Sequence, residues 1–283
     1  MPSRAEFAEV GDDVYVLRYP VLDVNATLIL GDGEAILVDT LATEAQAGEL
    51  AVAVRAVTPA ALTIVNTHHH FDHTFGNAVL ADLGSLSSPP RPIWAHASVA
   101  ALLRDRAEAV RREAYEEALR LAPSIAEELL TVPIMAPNET VRHESTLDLG
   151  GRAVILYHFG RGHTDGDLVV HVPDAEVVVA GDLVEEGAAP SFDDAYPLEW
   201  PETVAALLRL TTPSTAIVPG HGAAVGQNFV RGQHEELAAL DWVIRDGHAD
   251  GAPAEHVAAK APFGPDVALV AVRRGYAELS GRL

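Results

Sequence analysis

Short apolar runs separated by glycine-marked breaks dominate the start of the chain. Val14-Tyr15-Val16-Leu17, Ala26-Thr27-Leu28-Ile29-Leu30 and Ala35-Ile36-Leu37-Val38 read as strands, the last two joined by a Gly31-Asp32-Gly33 turn, so a β meander or hairpin is expected there. Residues 41–57 are alanine-rich with helical periodicity, and Thr58-Pro59 stops them before a short strand at Leu62-Thr63-Ile64-Val65. Strand, helix and strand in that order indicate an α/β unit.

A Ser/Pro-rich loop at 85–92 and a strand at 92–95 lead to the clearest helix in the sequence, over 99–121. Val99, Leu103, Ala107, Val110, Ala114, Ala118 and Leu121 form one apolar stripe with charged residues outside it, which fits either a plain core helix or a lid over a site. The second half repeats the theme. Ala153-Val154-Ile155-Leu156, Leu168-Val169-Val170-His171 and Val177-Val178-Val179-Ala180 read as strands, followed by a helix near 201–210 and a strand at Ala216-Ile217-Val218. Helices are expected again over about 227–245 and 265–279. Two β-rich halves with outer helices predict an α/β/β/α sandwich with a helical insertion at about 97–131 and a helical tail at about 226–283. No linker separates these parts, so residues 1–283 are expected to form one domain.

Composition narrows the function more than the fold. Hydrophobic residues make up 48% of the chain, enough to offset the entropy of folding, so disorder is excluded. Lys plus Arg total 19 against 41 Asp plus Glu, and the resulting charge of −22 repels phosphate backbones and anionic lipid headgroups. Neither nucleic acid nor a membrane is therefore an expected partner. The arginines of 104–120 alternate with acids, as on a solvated helix face. The amino terminus lacks an apolar h-region and no run reaches the length of a membrane span, so a cytoplasmic protein is expected. With no cysteine, any metal must be held by histidine and carboxylate.

Just after the strand ending at Val65 stands Thr67-His68-His69-His70-Phe71-Asp72-His73. A packed core has no use for so many imidazoles competing for hydrogen bonds, and burying them unpaired costs on the order of several kcal/mol. A metal resolves that conflict, since neutral imidazole and carboxylate oxygen are what zinc accepts when thiolate is absent. His163, Asp182 and His221 each follow another apolar run beside glycines, where separate strands can deliver ligands to a common edge.

The H-x-H-x-D-H run of His68, His70, Asp72 and His73, with His163, Asp182 and His221 following in that order, resembles the metallo-β-lactamase superfamily. The resemblance runs from about Val14 to Gly222, and Asp39 fits a recurring early aspartate of the family. It implies the αβ/βα four-layer fold and two zinc ions, with iron or manganese as other candidates. One ion would be held by His68, His70 and His163, the second by Asp72, His73 and His221, and Asp182 would bridge them. A bridging aspartate is typical of glyoxalase II-like hydrolases rather than of the β-lactamases themselves.

The implied activity is hydrolysis of a small ester, thioester, lactone or amide by a metal-bridging hydroxide that Asp72 orients. The implied alternative is a one-iron persulfide-dioxygenase-like oxidoreductase on a subset of the ligands. A nuclease of the same fold is disfavoured by the charge of −22, and flavodiiron-type chemistry by His70, where that branch typically carries glutamate.

Around the ligands several readings stay open. Asp39 is either a turn residue or the carboxylate that orients a ligating imidazole. Phe192, Tyr196 and Trp200 either line a substrate pocket or anchor their loop. Asp165 and Asp167 are candidate loop caps. His69 points away if its neighbours converge, and the remaining histidines read as surface or satisfied core residues. The tail lacks the basic cluster expected for glutathione thioesters, and is expected to dock on its neighbour or to form a homodimer contact.

Overall fold

The computed structural model describes residues 6–83 and 91–282; most of the Ser/Pro-rich stretch at 85–92 lies outside them. The first half contributes β1 (Ala8–Gly11), β2 (Val14–Tyr19), β3 (Val24–Leu30), β4 (Glu34–Val38), β5 (Ala61–Val65), β6 (Ile93–His96) and β7 (Glu139–Val141). The second half contributes β8 (Glu144–Asp148), β9 (Ala153–Tyr157), β10 (Val169–Val172), β11 (Val177–Glu185) and β12 (Ala216–His221). Helices early in the chain are α1 (Glu44–Val57), α2 (Phe71–Thr74), α3 (Asn77–Ala81), α4 (Ala97–Asp105), α5 (Ala107–Leu121) and α6 (Ala126–Leu129). Those later in the chain are α7 (Trp200–Leu208), in the crossover from β11 to β12, then α8 (Gln227–Ala249), α9 (Ala254–Ala258) and α10 (Pro265–Leu279). None of the helices described is long and apolar enough to cross a membrane.

Hydrogen bonding runs in the order β7-β6-β5-β4-β3-β12-β11-β10-β9-β8, with β2 on β3 and β1 on β2. The halves are joined at β3 and β12 by one residue pair, Val24 with His221, and the sheet folds back on itself about that junction. Alternation along the strands explains why. Val16, Ile29, Ile36 and Val38 of the first half meet Val154, Val170, Val177, Val179 and Val218 of the second in one buried layer. Their neighbours point outward. Leu17, Leu28, Leu37 and Ile64 pack with Leu50 and Val54 of α1 and Leu80 of α3, while Val178 and Ile217 pack with α7, α8 and α10. Helix, sheet, sheet and helix therefore stack in the predicted order.

Two elements differ from their sequence expectation. The helix expected over 99–121 breaks at Arg106, whose backbone (φ −131°, ψ 24°) leaves the helical region and separates α4 from α5. Below the break Val110, Ala114 and Ala118 bury against Phe71, Phe75 and Leu129, whereas Leu121 at the end of the stripe is 59% exposed. The strand expected to end at Ala180 continues as β11 to Glu185, because Gly181 takes a left-handed conformation (φ 55°) and a register shift there lets pairing with β12 resume.

Ile36 lies fully buried in the layer shared by both halves of the sheet. Ile36→Ala is expected to cost about 2–5 kcal/mol, read as a lowered denaturation midpoint with unchanged slope in urea.

Candidate metal centre

The segment after β5 is pinned by backbone contacts before any ligand chemistry enters. Asn66 Nδ2 and Thr40 Oγ1 both donate to the carbonyl of His73, at 3.1 Å each, and Thr74 Oγ1 donates to the carbonyl of His70 at 3.0 Å. Asp39, in the left-handed region (φ 64°), directs its carboxylate at this segment. It accepts from the Thr67 amide at 2.8 Å and from Thr67 Oγ1 at 2.7 Å.

Hydrogen bonds on the outer side decide which nitrogen faces inward in four of the five rings. Asp39 Oδ2 lies 2.9 Å from His73 Nδ1 and can only accept, so Nδ1 carries the proton and Nε2 of the neutral ring presents a lone pair. His221 Nδ1 donates to the Leu22 carbonyl at 2.8 Å, with the same result at its Nε2. Thr67 Oγ1 has given its proton to Asp39, so it accepts from His68 Nδ1 at 3.0 Å. His70 is turned the other way: its Nε2 meets Asp194 Oδ2 at 3.3 Å, and Nδ1 is left facing inward.

The inward atoms form two groups. His70 Nδ1 stands 3.1 Å from His68 Nε2 and 3.0 Å from His163 Nε2, and Asp182 Oδ2 lies 3.6 and 3.5 Å from those same two nitrogens. In the second group His73 Nε2 and His221 Nε2 are 3.3 Å apart, with Asp72 oxygens 3.8 and 3.5 Å from them. Asp182 reaches this group too, at 3.3 Å from each nitrogen.

Neutral imidazole lone pairs do not attract one another at these distances, so a cation belongs between them. Zinc held tetrahedrally at roughly 2.0–2.2 Å would put neighbouring donors about 3.3–3.6 Å apart, close to the spacings found. Asp182 Oδ1 is buried without a hydrogen-bond partner, the mark of an oxygen meant for an ion. The chemistry of these donors therefore suits a divalent metal, with His68, His70, His163 and Asp182 in one group and Asp72, His73 and His221 in another.

The second half of the chain delivers its ligands by close packing. Asp167 accepts from the Thr164 amide and from Thr164 Oγ1, at 2.6 Å for the latter, and so shapes the loop that carries His163. Asp182 sits within β11 rather than beyond its end, and Gly220 of β12 lies beneath it with no room for a side chain: a Cβ there would come within 1.6 Å of Asp182 Oδ1. Burial pushes the His163 imidazole down to about 4 and His68 well below its usual range, which keeps both rings unprotonated.

A cavity of about 510 Å³ opens above Asp72, His163, Asp182 and His221. Its walls come from the end of α5 (Glu117, Arg120, Leu121), from residues 185–191 and from Val267 of α10. The aromatic residues expected to line such a pocket do not reach it. Phe192 and Trp200 are buried in the outer core, because α8 and α10 cover that side of the sheet and large apolar rings gain most there. Trp200 donates Nε1–H to the Leu183 carbonyl at 3.1 Å and backs His163, ring centroids 5.6 Å apart. Tyr196 lies under the Arg161 guanidinium, 4.1 Å from its ring centroid, in a separate surface recess. Asp194 and Glu185 were not singled out by sequence, since each stands in a run of acids or apolar residues with no distinguishing spacing.

The family model described as Metallo-beta-lactamase superfamily matches residues 19–221. The chain belongs to that superfamily. It is 27% identical to the metallo-beta-lactamase type 2 of Bacillus sp. (strain 170) over 162 residues, 56% of this chain and 51% of that one. It is 30% identical to the acyl-coenzyme A thioesterase MBLAC2 of Gallus gallus over 132 residues, covering 46% and 44%. The chain thus spans about half the length of these curated relatives.

Among solved structures, the metallo-beta-lactamase from Pontibacter korlensis superposes with a TM-score of 0.64 at 19% identity, over 83% of this chain and 99% of that one. The sec-alkylsulfatase Pisa1 from Pseudomonas sp. gives 0.76 at 18% identity, over 99% of this chain and 51% of that one. The second likeness therefore extends the shared fold through the helices that follow His221.

Because Gly220 leaves Asp182 its space, Gly220→Ala is expected to displace that carboxylate while β12 still forms. Elemental analysis of the purified variant would then give well under the wild-type metal content with a cooperative melt retained; full metal content would contradict the packing argument.

Proposed function

We propose that this superfamily member is a two-zinc hydrolase of a small, uncharged carbonyl substrate: an ester, thioester, lactone or lactam. The observation that carries the proposal is the pair of donor groups with Asp182 between them, four of whose five imidazoles are oriented by hydrogen bonds on their outer side. Bound there, two divalent ions would supply an ionised water near neutral pH and Lewis-acid polarisation of a carbonyl. Asp72 lines the cavity beside His221 and is the group placed to orient the attacking water. Departure of an alkoxide or amine needs a proton. Glu185 faces the same cavity from β11, so it is the residue placed to donate that proton.

The walls favour a substrate without negative charge. Arg120 is the only cationic side chain among the described residues lining the cavity, and it already lies 3.9 Å from Asp193. Glu117, Glu185 and Glu186 stand beside it, next to the apolar surfaces of Leu22, Phe71, Leu121, Pro190 and Val267. A bulky anionic leaving group would meet these carboxylates, whereas an apolar acyl or alkyl group would find matching surface. The thioesterase and β-lactamase activities in the relatives' names support carbonyl hydrolysis as the class of reaction. The second group of donors, Asp72, His73 and His221, favours two ions over the one-iron dioxygenase reading.

Zinc-loaded protein is expected to hold two ions per chain and to cleave some of a panel of neutral chromogenic esters, thioesters, lactones and lactams. One iron per chain with oxygen uptake and no hydrolysis would replace this reading by the oxidative one. His70→Ala and Asp72→Ala are each expected to remove most turnover while far-UV circular dichroism stays unchanged. Glu185→Gln is expected to lower kcat roughly 10²–10⁴-fold for alkyl esters, whose leaving group needs a proton, and far less for nitrophenyl esters. Equal losses on both would remove Glu185 from that role.

A further inference from the structure

His70 differs from the other histidines of the metal centre in presenting Nδ1, so its Nε2 points out of the site toward the segment between β11 and α7. Asp194 on that segment receives it: Oδ2 lies 3.3 Å from His70 Nε2 and 3.3 Å from His69 Nε2. One carboxylate thus serves two consecutive imidazoles, although its side chain is 40% exposed. Residues 186–199 form neither strand nor helix, so the place of Asp194 depends on what grips the segment.

The grip comes from the C-terminal helix. Arg274 of α10 donates Nη2–H to the Asp194 carbonyl at 2.6 Å and Nε–H to the Ala195 carbonyl at 2.9 Å. Its guanidinium also lies 5.7 Å from the Tyr196 ring centroid, farther than the 4.1 Å of Arg161. Phe192 is held between Trp200 and Phe263, at centroid distances of 5.3 and 5.6 Å. All of α10 lies beyond residue 221, where the superfamily match ends.

We infer that Asp194 and Arg274 are positioning residues for the metal centre: Arg274 holds the 194–195 backbone, and Asp194 accepts the outward N–H of His70 to fix its ring. A carboxylate behind a ligating imidazole sets the tautomer and makes the inward nitrogen a better donor. The helical tail is thereby a working part of the ion site formed by His68, His70 and His163. This rests on the two-ion reading, and the test keeps the two apart.

Metal content is measured first on wild-type protein, and affinity is then read by chelator competition with Zn²⁺ and by the visible spectrum of the Co²⁺-substituted protein. Asp194→Ala is expected to weaken one of the two ions about 10–100-fold and to alter one component of the cobalt spectrum, the other ion staying close to wild type. Asp194→Asn, which keeps the shape and one acceptor, is expected to fall between. Arg274→Ala is expected to weaken the same ion, and Arg274→Lys to restore part of the loss.

Two tightly held ions in wild type with both affinities unchanged in Asp194→Ala would overturn the inference and leave the hydrolase reading standing. Wild-type protein that takes up no ion would end both. His69, His70 and Asp194 are also close enough to form a ligand group of their own, open to a cavity of about 430 Å³. A third ion in wild type that is lost in His69→Ala would make Asp194 a ligand and overturn its role as an acceptor.

Discussion

Everything around the metal centre depends on where the ring protons of its histidines are held. His73, His221, His68 and His70 each have an outward nitrogen facing a group that accepts: Asp39, the Leu22 carbonyl, Thr67 Oγ1 and Asp194. Their inward nitrogens are left as bare lone pairs around Asp182, a buried carboxylate whose Oδ1 has no hydrogen-bond partner. Removing charges from water costs several kcal/mol each unless they are paired, so such a cluster is stable only with positive charge inside it. A divalent ion would supply that charge without a proton.

The backbone near these contacts is strained in a way that fits this role. Asp39 and Leu22, which hold the outward nitrogens of His73 and His221, are non-glycine residues with φ of 64° and 62°. Left-handed conformations of this kind cost about 1–3 kcal/mol each and persist where the surroundings fix them. Here they turn a carboxylate and a carbonyl toward two imidazoles 148 positions apart in the chain. Gly181 makes a similar turn within β11, without the steric penalty, and presents Asp182 between the two donor groups.

Much of this was legible in the sequence for a definite reason. A metal held without cysteine calls on histidine and carboxylate, and strand periodicity marks where such residues fall, so His68, His70, Asp72, His73, His163, Asp182 and His221 stand out by identity as candidates. The layering was legible too, because Ile36 and Leu37, or Val178 and Val179, send alternate side chains to different cores. Residues that act through geometry carry no such mark. Asp194 stands 124 positions from His70 within a run of acids, and Arg274 acts on main-chain carbonyls that any residue could supply. Phe192 and Trp200 mislead for the converse reason. Large rings near a ligand suit a pocket or a core equally well, and only the packing of α8 and α10 on that face decides between them.

The parts of the chain that set the metal ligands and the parts that shape the cavity over them are different. The candidate ligands come from the middle of β11, the last residue of β12 and the segments after β5 and β9, inside the region the superfamily shares. The walls come from α5 in the helical insertion, from the 185–191 segment and from α10 in the tail. Substrate choice can therefore change by altering insertion and tail while the metal chemistry stays the same, which is how one fold serves many reactions. In this chain those outer parts bring carboxylates and apolar side chains but a single arginine, in keeping with a net charge of −22. Such walls attract cations and repel anions at the same entrance.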